Sequence, residues 1–342
     1  MPSMTRTGDH ATVNDVAALA NVSRQTVSNV LNAPQRVRDT TRQRVQAAID
    51  QLGYRPHRLA RNLKARTSLL LGYAVPPATG DGINPVLDRF LHDLTTAARE
   101  DGYHVLLFTP EPGQSEAEAH LDLAATHTVD GFVLSETNYD DPRVRALAEQ
   151  DVPFVAFGRT GIELPHCWVD VDGAAGTASA VAHLANRGHT RIGFVGWPHG
   201  SLTGDERLTG YRRGMADAGL ADDPGLIGRA PNDTVAAAAA AGALLERSDA
   251  PTAVLCASDL LAIGVLQEAR RRGMRVPDDL AVVGFDDTPV APITTPALTS
   301  VRQPLASVGR EVVRLLTSRL AGVNVPQDGL LISPQLVVRD SS

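Results

Sequence analysis

Polar and apolar positions at the front of the chain alternate with helical spacing. Thr12 and Asp15 have the separation of a capping box, so a first helix is predicted to start there. Ser23 is placed to cap a second helix that buries Val27, Val30 and Leu31 along one face. Thr40 or Thr41 begins a third, with Val45, Ala48, Ile49 and Leu52 as its apolar stripe and Gly53 as its stop. After Pro56 comes "HRLARNLKA", helical in character but too short to be stable alone, since isolated helices need roughly 12–15 residues.

From Ser68 the pattern changes to short apolar runs, each followed by an amphipathic stretch. "LLLGYAV", "HVLLFT", "GFVLS" and "PFVAFG" alternate with helical segments near 84–101, 115–127 and 142–150. "RIGFVGW", "TAVLCAS" and "LAVVGFDD" continue the series among helices near 173–187, 205–218, 233–247 and 259–272. Runs of this kind are strands buried on both faces of parallel sheets. Two series predict two lobes, and ligands in such sheets sit beyond the carboxyl ends of the strands, so facing lobes would share a cleft. The alanine run 236–241 reads as a closely packed helix.

Charge divides the chain at the same place. The whole carries a net −7, but residues 1–66 hold 11 basic and 4 acidic side chains, leaving 21 basic and 35 acidic for the remainder. A basic head on an acidic body is what a nucleic-acid-binding module joined to a different kind of domain would show. Lys64 is the only lysine, which removes Walker-type and Schiff-base chemistry from the body. No GxGxxG follows the early strands, and neither GxSxG nor HExxH occurs, so an enzyme is not expected. Cys167 and Cys256 form no CxxC pattern and read as reduced and buried. His183 and His189 lie too far apart for a metal pair on one helix face and read as structural; no metal or cofactor is expected. With no signal-like or membrane-spanning run, a cytoplasmic protein is expected.

The front segment has the layout of a helix-turn-helix turning near Asn21–Val22, whose second helix can enter the major groove of DNA. Arg24 can pair with guanine and Gln25 with adenine, each contact discriminating by about 1–3 kcal/mol. Asn29 lies one turn on along the same face. Ser23, Thr26 and Asn32 carry groups suited to phosphates, which set position rather than sequence.

"TVNDVAALANVSRQTVSNVLN" followed by "TRQRVQAAIDQLGYRPHRLARNL" resembles the LacI/GalR family of bacterial transcription regulators, and "NRGHTRIGFVG", "ERLTGYRRG", "ASDLLAIG" and "VVGFDD" extend the likeness along the chain. The resemblance implies a helix-turn-helix head (1–55), a hinge helix (56–67) and a two-lobed α/β body with parallel sheets like those of periplasmic binding proteins (68–342). The first lobe is expected to comprise about 68–160 and 290–320, the second about 161–289 and 321–340. It also implies a homodimer on a palindromic operator, with paired hinge helices in the minor groove. Leu63 matches the family's wedge leucine, and Ala60 allows the hinges to approach, although by spacing alone Leu63 reads as a packing residue. Arg58, Arg61 and Lys64 supply charge to phosphates, and His57 replaces a common asparagine.

For the body, the resemblance implies a small effector, a sugar or a nucleobase, in the cleft. Arg207 matches the effector-binding arginine and Asp286 the ligand-contacting aspartate. Phe157 and Arg159, just beyond a strand end, are expected to line the same cleft, and Trp197 suits either stacking on a sugar or the core. Ser258 stands where many members have asparagine, and Leu305 where some have an aromatic ring. Asp259 either caps a helix or touches ligand. The expected function is a sugar-released repressor of carbohydrate-utilisation genes. A co-repressor-dependent regulator sensing a purine or other metabolite and a solute-binding protein without regulatory role are the alternatives. No heptad extension follows "LLISPQLVVRD", which favours a dimer.

Overall fold

Thr12 opens the first helix through reciprocal bonds. Its backbone N–H donates to Asp15 Oδ2 at 2.7 Å, while its hydroxyl oxygen accepts from the Asp15 amide at 3.4 Å. The Thr12 hydroxyl also donates to Asp15 Oδ2 at 2.7 Å, and this bond together with the one from the Thr12 backbone N–H holds the Asp15 carboxyl below its ordinary range. A computed structural model of the chain describes residues 11–54, 67–75, 84–326 and 329–342, and divides it into two units at Ser68 and Leu69.

The first unit has helices α1 (Val13–Leu19), α2 (Arg24–Asn32) and α3 (Asp39–Leu52). Asn21 makes the turn between α1 and α2 at φ +50°, a left-handed conformation that asparagine tolerates better than most side chains. Val16, Val27, Val45, Ala48 and Ile49 form the small shared core. Two details differ from expectation. α3 begins at Asp39 rather than Thr40 or Thr41, with Asp39 in the first turn, where the helix dipole favours a negative charge, and Arg42 pairing with it at 2.7 Å. Leu52 stays 36% exposed, outside the apolar cluster, one residue before Gly53 ends the helix at φ +59°.

The second unit contains two six-stranded sheets. The first has strands β1 (Leu70–Ala74), β2 (His104–Phe108), β3 (Gly131–Leu134), β4 (Phe154–Phe157), β5 (Cys167–Val171) and β11 (Leu330–Ile332), in the order β11-β5-β4-β3-β1-β2, all parallel. The second has β6 (Ile192–Gly196), β7 (Ile227–Arg229), β8 (Ala253–Cys256), β9 (Ala281–Asp286), β10 (Thr299–Arg302) and β12 (Gln335–Val337), in the order β12-β10-β9-β8-β6-β7, with β12 alone antiparallel. Helices α4 (Pro85–Glu100), α5 (Glu116–Ala125) and α6 (Pro142–Glu149) follow strands of the first sheet. Helices α7 (Gly173–Asn186), α8 (Leu202–Asp217), α9 (Thr234–Leu245) and α10 (Asp259–Arg271) belong with the second, and α11 (Leu305–Leu320) returns to pack on the first beside α4. α7 and α8 pack closely because Gly210 has no side chain: a Cβ there would meet the Ala174 carbonyl and the Thr177 hydroxyl.

The lobe boundaries read from the sequence need correction at three places. β5 belongs to the first sheet, with Val155 opposite Cys167, although 161–289 was expected in the second lobe. β10 belongs to the second, with Thr299 opposite Val283, and β11 to the first, with Leu330 opposite Val169. "LLISPQLVVRD" is therefore two short strands in different sheets. Pro334 stands between them and has no N–H with which to continue a ladder. The chain crosses between lobes after Val171, after Arg302 and after Ile332, so the lobes share three connections.

Cys167 and Cys256 are free and buried, and burial pushes both thiols up. His183 meets the Ser342 hydroxyl and His189 the Thr252 hydroxyl, each at 2.9 Å, which are structural pairings. Among the described residues no helix is long and apolar enough to cross a membrane.

Candidate DNA-reading helix and ligand cleft

In α2 the Ser23 side-chain oxygen accepts from the Thr26 amide at 3.1 Å, and the two hydroxyls lie 2.9 Å apart. The pair that was expected to meet phosphates thus also fixes the start of the helix. Arg24 and Gln25 follow on its exposed first turn. Gln25 Nε2 donates to Asn29 Oδ1 at 3.0 Å, so these two amides form one unit on a common face, as i,i+4 spacing allows. Asn32 is the last residue of the helix. Arg58, Ala60, Arg61 and Leu63, with His57 and Lys64, lie outside the described residues.

The second unit has a cleft of about 270 Å³ at the carboxyl ends of the strands of both sheets, the position the alternation of strands and helices predicts. Of the expected effector residues, Phe157, Trp197, Arg207 and Asp286 line it together. Arg207, on α8, is only 4% exposed. Its guanidinium carbon lies 3.7 Å from the Phe285 ring centroid and 5.1 Å from that of Trp197, and its Nη1 donates to the Ala257 carbonyl and, at 3.3 Å, to Asp286 Oδ1. Gln303 Nε2 donates to the same Asp286 oxygen at 2.7 Å. Burial lowers the Arg207 guanidinium and raises the Asp286 carboxyl from their ordinary values, and the attraction between them opposes both shifts. Trp197 Nε1 and Arg207 Nε are buried and have no hydrogen-bond partner within the described chain. Two donors at one wall therefore want acceptors, which suits a ligand rich in hydroxyl oxygens.

Two expected contacts take other roles. Arg159 does not line the cleft. It stands behind the wall, bonding Asp170 Oδ2 at 3.1 Å and Glu206 Oε1 at 2.5 Å, and so ties first-lobe β5 to second-lobe α8. Ser258 is buried as the cap of α10, accepting from the Leu261 amide at 3.2 Å and donating to Asn232 Oδ1 at 2.6 Å; it is Asn232 that reaches the cleft. Asp259 is neither cap nor lining. It accepts from the Thr288 amide and hydroxyl at 2.7 and 2.8 Å and from the Ser300 hydroxyl at 2.5 Å, pinning the β9 end to β10. Leu305 is buried at the start of α11, outside the cleft.

Sequence reading missed Asn84, Glu136, Asn138, Asp170, Glu206 and Gln303, all of which line the cleft. Asn84 caps α4 just before Pro85, a signal that could have been used, and its Nδ2 donates to Glu136 Oε1 at 3.3 Å. Asn138 bridges the lobes at one edge: its Nδ2 donates to the Gly200 carbonyl at 2.9 Å and its Oδ1 accepts from the Leu202 amide at 3.0 Å. The neighbouring Tyr139 hydroxyl donates to Asp205 Oδ2 at 3.1 Å.

Burial, with the charges of Asp170 and Asp172, pushes the Glu206 carboxyl up to about 7 against the opposing pull of Arg159. The folded protein thus holds this proton more tightly than the unfolded chain. Its contribution to stability is present at low pH and is lost as pH rises from the ordinary carboxylate range through about 7. Asp170, raised chiefly by burial, acts with the same sign. Glu206→Gln is therefore expected to flatten the dependence of the thermal midpoint on pH between about 5 and about 8. An unchanged slope in melts across that range would show that Glu206 does not carry it.

Residues 12–57 match the family described as bacterial regulatory proteins, lacI family, and residues 181–342 match the periplasmic binding protein-like domain. The chain is 37% identical over 333 residues to the HTH-type transcriptional regulator CelR of Thermobifida fusca, covering 96% of this chain and 98% of that one. The chain belongs to the lacI family of bacterial regulators. Among solved lacI-family structures, a CelR–cellobiose complex superposes with a TM-score of 0.73 at 35% identity, covering 97% of this chain and all (100%) of the other. The lac repressor dimer bound to operator and the anti-inducer ONPF superposes at 0.81 with 27% identity, covering 97% and 98%. The small-helix head followed by two lobes with parallel sheets is thus the lacI-family fold, and the front unit carries the family's DNA-binding helix-turn-helix.

Proposed function

We propose that this lacI-family regulator represses carbohydrate-utilisation genes as a cytoplasmic homodimer on a palindromic operator, and that a small sugar in the cleft releases it. The observation that carries the sugar reading is the pairing of aromatic walls, Phe157 and Trp197, with hydrogen-bonding groups held in fixed directions by partners of their own. A saccharide presents apolar ring faces and directional hydroxyls, and so needs both. The solved complex of the relative CelR with cellobiose supports the same class. In the released state Arg24, Gln25 and Asn29 read no bases; in the bound state they meet the major groove, while Arg58, Ala60, Arg61 and Leu63 form the hinge at the minor groove.

The coupling follows from the three inter-lobe connections. A ligand that touches Asp170 on one lobe and Arg207 on the other favours one closure, and it shifts DNA affinity only by its differential affinity for the two closures, typically about 1–3 kcal/mol. The ligand is bound and let go unchanged. The test is operator release by the purified full chain against a panel of mono- and disaccharides, cellobiose and maltose included, with purines in parallel. Release by a sugar, recovered unaltered, supports the proposal. Tighter operator binding with a purine, and no response to any sugar, would transfer the cleft to the co-repressor reading.

A further inference from the structure

The charges around the cleft narrow the ligand beyond "sugar". Four carboxylates line it: Glu136 and Asp170 from the first lobe, Glu206 and Asp286 from the second. Arg207 is the one guanidinium among the lining residues, and its Nη1 is already given to the Ala257 carbonyl and to Asp286. Arg159 is held behind the wall by Asp170 and Glu206 together, and Arg229 donates to the Trp197 carbonyl and faces Asp205. Arg143, whose Nη2 reaches the Glu136 carbonyl, is committed to Asp141 at 2.7 Å and to Glu116 at 3.1 Å.

From this arrangement we infer that the cleft takes an uncharged saccharide and rejects anionic ones: sugar phosphates, uronic acids and aldonic acids. The inference rests on the reading of the cleft as a saccharide site. An anion placed there finds no guanidinium without an existing carboxylate partner, and it adds to a wall that already carries more negative than positive groups. Burial holds Asp170, Glu206 and Asp286 all above their ordinary range, with Arg159 and Arg207 opposing the shift. A bound anion that drew Arg159 or Arg207 from its partner would leave a buried carboxylate unpaired. Neutral hydroxyls meet no such obstacle, because carboxylates accept from them and the Trp197 indole and Arg207 Nε donate to them.

The experiment is calorimetric titration of the full chain with glucose and cellobiose against glucose 6-phosphate and cellobionic acid, repeated with Asp170→Asn and Glu206→Gln. The neutral sugar of a pair is expected to bind at least about tenfold more tightly than its anionic form, the order of a single unscreened like-charge contact. The two isosteric substitutions remove charge without removing bulk and free one edge of Arg159, so each is expected to narrow that ratio. Equal or tighter binding of the anionic form to the unaltered protein overturns the inference while leaving a saccharide site in place. A preference that persists unchanged in both variants also overturns it, since shape rather than charge would then be responsible. If no saccharide binds, neutral or charged, the reading of the cleft itself fails and the inference falls with it.

Discussion

Arg207→Ala is expected to abolish the ligand response, to lower the thermal midpoint of the α/β unit, and to leave operator binding in place. Arg207 joins several parts of the cleft: it lies over Phe285, faces Trp197, and bonds Asp286, which in turn accepts from Gln303 at the chain crossing after β10. Removing it withdraws a donor from the ligand and also the positive partner of a buried carboxylate. Breaking such a pair costs about 3–5 kcal/mol, which for a unit of this size corresponds to a fall of roughly 6–20 °C. The head has its own apolar core, built on Val16, Val27 and Val45, and should stay folded. Differential scanning fluorimetry and an operator-release assay on the same preparation read the two effects separately. Adding Asp286→Asn is expected to recover much of the stability, because the unpaired charge is gone, without restoring the response. A fully responsive Arg207→Ala protein would show that the ligand sits elsewhere.

Arg207 and Asp286 were expected at the cleft because "ERLTGYRRG" and "VVGFDD" resemble the family's motifs, and the alternation of buried strands with helices points to the end of the sheet that faces the cleft, where both residues stand. Arg159 and Ser258 were placed at the right end but in the wrong role. Nothing local to "FGRT" says that its arginine will be consumed by Asp170 and by Glu206 of the other lobe; Ser258, directly before the predicted helix, did carry a cap signal, but nothing local to "CASD" says that it will hold Asn232. Asp170 was missed for a related reason. β5 alternates buried and half-buried residues rather than running apolar throughout, so it did not read as a central strand of a parallel sheet. β11 is three residues long, and two of them are exposed; its place in the first sheet is set by pairing with β5, a contact that crosses most of the body's length. The periodicity of side chains reports burial along one element, whereas the crossings after Val171, Arg302 and Ile332 are decided by pairings between distant elements. That is why most strands and helices up to Asp286 were legible, whereas β5, β7, β10, α11 and the lobe boundaries were not.

Arg24→Ala and Gln25→Ala should have the largest effects on DNA. Arg24 stands on the exposed first turn of α2, where a guanidinium can meet a guanine edge with two hydrogen bonds, and its loss is expected to weaken the operator by about 1–3 kcal/mol, on the order of 5- to 150-fold. Gln25 differs in that its Nε2 is already donated to Asn29 Oδ1. Gln25 can turn from Asn29 to read adenine alone, which breaks that bond, or keep it, since its second Nε2 hydrogen and its Oε1 stay free for the base. If instead the bond persists, Gln25 and Asn29 act on the base pair together, so that removing either disables both. The second possibility is separable from the first by a double-mutant cycle: a joint unit makes Gln25→Ala with Asn29→Ala cost clearly less than the sum of the single losses, whereas independent contacts add. Site selection from a randomised duplex library supplies the other half of the test. Arg24→Ala is expected to relax preference at one base pair of each half-site while random DNA is bound nearly as before, apart from the loss of one phosphate-attracting charge. Equal losses on operator and random DNA would make Arg24 a backbone contact and move base reading to other residues of α2.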